Sequence, residues 1–268
     1  MTKTFKNSYL YLILALTCYH FTLNAQTSTE KLDNRILYTK YYASDFFSST
    51  SKWAWEVDVV YRRQSELGGN NIFQHPLRFS IRPFIAYQFT KYSRLSINPL
   101  GMFRSAPRYP LEADLDRPFE REWRTTAQWL HYAYYGRINF THRLRGEYRW
   151  RGIDNPETRQ NMRFRYRMRV RIPINTNYFY TDKTWYTSIY SEPHIEWGRD
   201  IQGLNWTQLR NFIGIGYRFW GWTRVELGYL YQLNMRTNGT QMDVSQGPMF
   251  YLFFDVLSRN SRRYDYSF

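Results

Sequence analysis

The chain has 268 residues, of which 43% are apolar and 20% aromatic, with a mean hydropathy of −0.65. So low a hydropathy excludes a bundle of membrane helices, each of which needs about 20 consecutive apolar residues. The aromatic content excludes a disordered chain. Thirty arginines and only seven lysines face 22 acidic residues, for a formal net charge of +15, and such an excess of arginine points to fixed ion pairs or phosphate recognition.

Residues 1–25 carry Lys3 and Lys6, no acid, an apolar stretch over 9–17, and Leu23-Asn24-Ala25 before Gln26. A basic start, a short apolar core and a small residue before the cut describe a cleaved secretory signal peptide. Cys18, the single cysteine, lies inside it. Cleavage after Ala25 then removes disulfides, thiol catalysis and cysteine metal sites from consideration. Residues 26–50 read as an N-terminal periplasmic lead or partial plug. Within them 36–42 alternates poorly, leaving helix and strand both open.

From Ser51 the chain reads in twos. Residues 162–171 place Met162, Phe164, Tyr166, Met168 and Val170 in alternation with Arg163, Arg165, Arg167, Arg169 and Arg171. Successive side chains of a strand point to opposite faces, so one face is wholly apolar and the other is five arginines. The neighbouring stretch 140–151 repeats the pattern, with Leu144, Tyr148 and Trp150 against Arg143, Arg145, Glu147 and Arg149. Similar alternation predicts ten strands, over 52–63, 74–89, 93–105, 121–135, 138–151, 161–173, 184–197, 205–219, 222–236 and 246–257. Short turns near 90–91, 136–137 and 220–221 alternate with longer polar loops near 64–73, 106–120, 152–160, 198–204 and 237–245. The segment 174–183 is long for its place on the short-turn side.

Short turns on one side and long loops on the other describe an outer-membrane barrel. The expected fold is therefore all-β: a closed antiparallel up-and-down transmembrane β-barrel of about ten strands over 51–257, with a C-terminal tail at 258–268. Counting 36–47 and 259–268 as strands gives an alternative of twelve. Ten strands put both termini on the short-turn side. Tryptophans near strand ends, Trp53, Trp150, Trp185, Trp197, Trp206, Trp220 and Trp222, read as aromatic girdles at the two membrane–water boundaries.

The opposite face defines the candidate site, a charge network in a narrow lumen. It comprises Glu56, Asp58, Arg78, Arg82, Arg143, Arg145, Glu147, Arg149, Arg163, Arg165, Arg167, Arg169, Arg171, Glu192, His194, Glu196, Arg210, Arg218, Arg224 and Glu226, with Arg124 and Asp255 beside them. A buried unpaired guanidinium is expensive, so these groups should pair or meet water. The expected result is a plugged or tightly constricted lumen, with Glu147 close to Arg163–Arg169 across a hairpin.

The alternating segments, the signal ending Leu-Asn-Ala-Gln, the run Arg163-Phe164-Arg165-Tyr166-Arg167, and Gly214-Ile215-Gly216-Tyr217-Arg218-Phe219 followed by Glu226-Leu227-Gly228-Tyr229 carry a resemblance. The chain resembles the Bacteroidota outer-membrane barrel family catalogued as domain of unknown function 2490. The resemblance implies a fold and a location in the outer membrane of a Gram-negative cell; it implies no activity and no catalytic residues.

Three functions fit such a barrel. The first is a structural, interaction or envelope-integrity role with a plugged lumen. The second is a narrow channel for small solutes. The third is an enzyme of lipids or peptides at the rim, for which His131, His142, His194 and Asp154 are the candidates. No Gly-x-Ser-x-Gly, His-Glu-x-x-His or phosphate loop is present. No metal, cofactor or nucleic acid is expected. The expected partners are outer-membrane lipid and, during insertion, the barrel-assembly machinery. Arg104, Arg108, Arg117 and Arg121 around the loop 106–120 offer lipopolysaccharide a set of phosphate contacts, against Glu112, Asp114, Asp116 and Glu120, which would neutralise them.

Overall fold

The structure, a computed structural model, describes residues 30–109, 111–116, 118–154, 158–199, 201–236 and 240–255. The expected signal peptide and the tail 258–268 lie outside the described residues. Eleven strands form one closed barrel. They are β1 (Glu30–Phe46), β2 (Trp53–Gln64), β3 (His75–Thr90), β4 (Ser93–Ser105), β5 (Glu120–Tyr135), β6 (Ile138–Arg151), β7 (Arg159–Pro173), β8 (Thr184–Gly198), β9 (Ile201–Trp220), β10 (Thr223–Met235) and β11 (Gln241–Asp255). No α-helix occurs among the described residues; the one helical element is a 3-10 turn at Glu112–Asp114.

Ten strands lie close to their expected places. The eleventh, β1, occupies residues expected to be a lead or plug, and corrects the count of ten and its alternative of twelve. Its inward positions are Leu32, Asn34, Ile36, Tyr38, Lys40, Tyr42 and Ser44, a mixture of apolar and polar groups. The lumen beside β1 is partly apolar, so no uniformly charged face betrays the strand. Two hairpin strands also run further than expected: β9 starts at Ile201 and β11 at Gln241. The long connection expected at 198–204 is instead largely ladder, with Gly198 opposite Ile201.

An odd number of up-and-down strands brings the first and last strands side by side in the same direction. The barrel therefore closes with a parallel pair, β1 on β11, from Glu30 opposite Gln241 to Ser44 opposite Asp255. All other neighbours are antiparallel. Closure leaves no free edge of unpaired backbone groups. Glu30 thus enters at the long-loop end and Asp255 arrives at the short-turn end, in place of both ends on one side. At the seam Gly247 has φ +153°, and a Cβ there would lie 1.9 Å from the carbonyl oxygen of Ile36. Only glycine allows that approach.

Burial follows the pleat. Along β7 the odd positions 165–171 are buried arginines, while Met162 and Phe164 are exposed. The core of the molecule is thus the lumen, and the apolar outer face is open to the surroundings.

Candidate functional site

All twenty residues of the candidate network lie on inward-facing positions. Eighteen are buried, and Arg78 and Arg163, near the long-loop end, are half-buried. Alternation alone puts them there: each strand lends every second side chain to a space too narrow to leave them apart.

The charges are gathered on the carboxylates. Glu192, on β8, meets Arg143 at 2.6 Å, Arg167 at 2.7 Å, Arg165 at 2.9 Å and Arg210 at 3.3 Å, with His194 Nε2 at 3.5 Å. Glu147 on β6 meets Arg165 at 2.8 Å and Arg124 at 3.2 Å. It also sits directly opposite Arg163 in the hairpin register. Glu226 on β10 receives Arg169 at 3.1 Å and Arg171 at 3.4 Å. Asp58 bridges Arg82 at 2.6 Å and Lys40 at 2.8 Å. Arg149 reaches Glu196 at 3.0 Å, and Arg163 pairs with the same carboxylate. Arg224 reaches Asp255 at 3.2 Å. Glu56 takes Arg94 at 2.8 Å and the hydroxyl of Ser96 at 2.9 Å.

Arg78 and Arg218 are joined to neutral partners. Arg78 donates to the Ser105 hydroxyl at 2.7 Å, and Arg218 donates to the carbonyl of Gly221. Charge is not balanced overall: among the buried described residues fifteen are lysine or arginine and ten are carboxylates. Aromatic faces take up part of the remainder. Arg124 lies 3.8 Å from the Phe103 ring centre, Arg224 4.0 Å from Phe253, Arg167 4.1 Å from Tyr190, and Arg62 4.2 Å from Tyr38. A flat guanidinium stacks on a ring in a way an ammonium cannot, which accounts for arginine in place of lysine.

Chain lies across both ends of the lumen. At the short-turn end the turn 174–183 folds inward. Phe179 is 3% exposed, packs edge-on to Tyr186 at 4.8 Å, and lies 4.7 Å from Arg218 and 5.0 Å from Arg171. The extra length of this turn therefore has a purpose: it places a ring beneath three arginines, the third being Arg224 at 6.0 Å. At the long-loop end the segment after β4 crosses the opening. Gln64 donates to the Pro107 carbonyl at 2.7 Å. Asp114, 1% exposed, is held by Arg236 at 2.7 Å, and Arg108 reaches Asp243 at 3.6 Å. Residues 30–46 of the expected lead or partial plug form wall strand β1, and the segments that cross the ends are two internal connections. Between them remains a cavity of about 90 Å³ in the lumen.

Sequence reasoning missed Lys40 and Tyr38, because β1 was not counted, and Phe179, because no pattern marks a turn that folds back. It also left out Arg62, Arg94 and Glu122, although the parity of β2, β4 and β5 assigns all three to the lumen. Glu122 holds Arg124 at 2.7 Å and also pairs with Arg149.

The rim candidates separate. His194 is buried in the network. His131 and His142 lie on the outer face: the hydroxyl of Ser93 is 2.8 Å from His131 Nδ1, and that of Tyr166 is 2.8 Å from His142 Nδ1. The two imidazole centres are 6.4 Å apart. Asp154 pairs at the surface with Arg121, whose hydrogen bond holds the Asp154 carboxyl below its ordinary pKa. These groups do not converge on one point. Of the loop charges, Arg108 and Asp114 turn inward, and Glu120 pairs with Arg159 and, at 3.5 Å, with Arg151. Arg117 lies outside the described residues. Among the described residues no three His, Cys, Asp or Glu side chains are placed to hold a metal ion.

The outer face is largely apolar, with His131 and His142 and, toward the long-loop end, Lys31, Asp33 and Arg35 as polar exceptions. Trp53, Trp185, Trp220 and Trp222 ring the short-turn end, and Trp150, Trp197 and Trp206 the long-loop end, joined there by Trp123.

A closed all-β barrel with a charge-rich interior is the class of protein that the fold and site define. The chain belongs to the family described as protein of unknown function (DUF2490), which matches residues 36–243. No curated protein and no solved structure gives a significant match to the chain.

Proposed function

We propose that the protein is an outer-membrane β-barrel with a plugged lumen, acting in envelope integrity or as a structural and interaction barrel. The observation that carries this reading is the inversion of burial. Large apolar side chains stand outward along the wall, Ile213 at 61%, Leu227 at 60% and Met102 at 54% exposure, while arginine fills the interior. An apolar belt of this extent in water is an aggregation liability, and in a bilayer it is the required surface. The tryptophan rings at both rims suit the two interfaces of a membrane. The basic and apolar start of the sequence supplies the route of export. Outer-membrane lipid is then the immediate partner of the outer face, and the barrel-assembly machinery its partner during insertion.

Membrane fractionation combined with unheated gel electrophoresis tests the reading. The expected result is recovery with the outer membrane and faster migration of the unheated, folded barrel. Recovery in a soluble fraction without detergent overturns it. Planar-bilayer recording separates the plugged barrel from a narrow channel. With residues 174–183 across one end and the described residues of the 106–119 connection across the other, no conductance steps are expected.

A further inference from the structure

Two spaces meet at the short-turn end. One is the lumen cavity of about 90 Å³, lined by eight cationic and three acidic side chains. Arg143, Arg167 and Arg169 line it, and the buried Nε of each has no hydrogen-bond partner. Their outer nitrogens are already engaged, those of Arg143 and Arg167 by Glu192 and that of Arg169 by Glu226. Each of these guanidiniums therefore keeps an Nε donor beyond those the carboxylates engage. A buried donor without an acceptor is costly, and an oxyanion is the acceptor that guanidinium groups match best.

The other space is a groove of about 800 Å³ at the rim, between the ends of β4 and β5, the 136–137 turn and the 174–183 turn. Its walls are largely rings, among them Tyr92, Tyr134 and Tyr178. Tyr132, Phe179 and Tyr180 line both spaces, so cavity and groove share a wall of rings.

We propose that cavity and groove form a single binding site for an amphipathic anion. Its phosphate or carboxylate head sits among Arg143, Arg167 and Arg169, and its hydrocarbon body lies along the tyrosine-lined groove. Charge complementarity selects this occupant. Cations outnumber carboxylates around the cavity even with Glu192 and Glu226 counted beside its lining, and its size suits a small oxyanion head rather than a sugar or nucleoside. The groove falls within the roughly 300–1,000 Å³ range of pockets that enclose small ligands. The site goes beyond the proposed structural role and does not depend on the compartment that this end faces.

Titration calorimetry on the full folded protein tests it, in zwitterionic nanodiscs with empty nanodiscs as the blank. The probes are inorganic phosphate, decyl phosphate below its micelle concentration, and decanol. Decyl phosphate should bind roughly 100-fold more tightly than inorganic phosphate, the gain from burying three or four of its methylenes at about four-fold each. Decanol should bind far more weakly than decyl phosphate. Tyr178→Asp, at an exposed groove position, should remove the gain from the chain and leave phosphate binding unchanged. Equal binding of phosphate and decyl phosphate overturns the joint site. Equal binding of decanol and decyl phosphate overturns the role of charge. Failure of both anions to bind a barrel that still migrates as folded overturns the proposal outright. A barrel that proves soluble without lipid is titrated in buffer with the same three probes, so this outcome is independent of the membrane assignment.

Discussion

The two sides of the lumen are built from different chemistry. The wall of β5–β8 projects arginine and glutamate, gathered on Glu147 and Glu192. The wall of β9, β10, β11, β1 and β2 projects, at mid-height, a cluster of Phe212, Leu230, Met249, Tyr251, Ile36, Tyr38 and Val60. The first is held by shared carboxylates, the second by dry contact, and arginine over tyrosine joins them. A narrow barrel has no room for water to hydrate a wholly charged interior. Facing the cations with rings fills the volume while still offering each guanidinium a favourable surface.

Breaking the charged wall at its hub should have the largest effect. Glu192→Gln removes the carboxylate that four arginines share. Breaking a buried pair by removing one partner costs about 3–5 kcal/mol. The variant is expected to lose its compact unheated gel form at markedly lower temperature. An unchanged melting point would mean that this wall is wetted rather than tightly paired.

On the opposite wall Met249→Ala should cost about 2–5 kcal/mol through the cavity left behind. Denaturant unfolding in detergent reads this directly. A loss under about 1 kcal/mol would show an apolar wall that collapses freely around the gap. Comparing the two variants ranks pairing against packing within one interior.

The contact between the walls is the smallest term. Arg167→Lys keeps the charge but gives up stacking on Tyr190, and a desolvated cation–π contact contributes about 1–2 kcal/mol. The expected stability loss lies near that figure. A neutral result would assign Arg167's contribution wholly to Glu192.

Most of the wall was legible because β6 and β7 alternate arginine with apolar groups without a break, and a pleat of period two turns that pattern into an inside and an outside. β1 was not legible, because its inward face borders the apolar half of the lumen and mixes Ile36 and Tyr38 with Lys40. Periodicity detects contrast between two faces, and here the contrast is weak. The closures were illegible for another reason. Phe179 and Asp114 lie on connections, where position is set by tertiary contact with Arg218 and Arg236 rather than by local pattern. Glycine at 216 belongs to the same class. A Cβ there would lie 2.3 Å from the Tyr186 ring, a requirement that only the assembled sheet imposes.

The parallel seam sets the order in which this molecule can form. Every other strand pair is a hairpin of neighbours, able to zip as soon as two consecutive strands exist. β1 and β11 are separated by the whole circumference: Ser44 donates to Asp255 across 211 residues of chain. Contacts between sites so distant in sequence bear the greatest loop-closure entropy and form late. The first strand made is thus the last to find its second neighbour, and until then an open sheet with two unpaired edges must be kept from pairing with other chains. Gly247, which lets the Ile36 carbonyl come close, lies on the line along which that sheet is finally sewn shut.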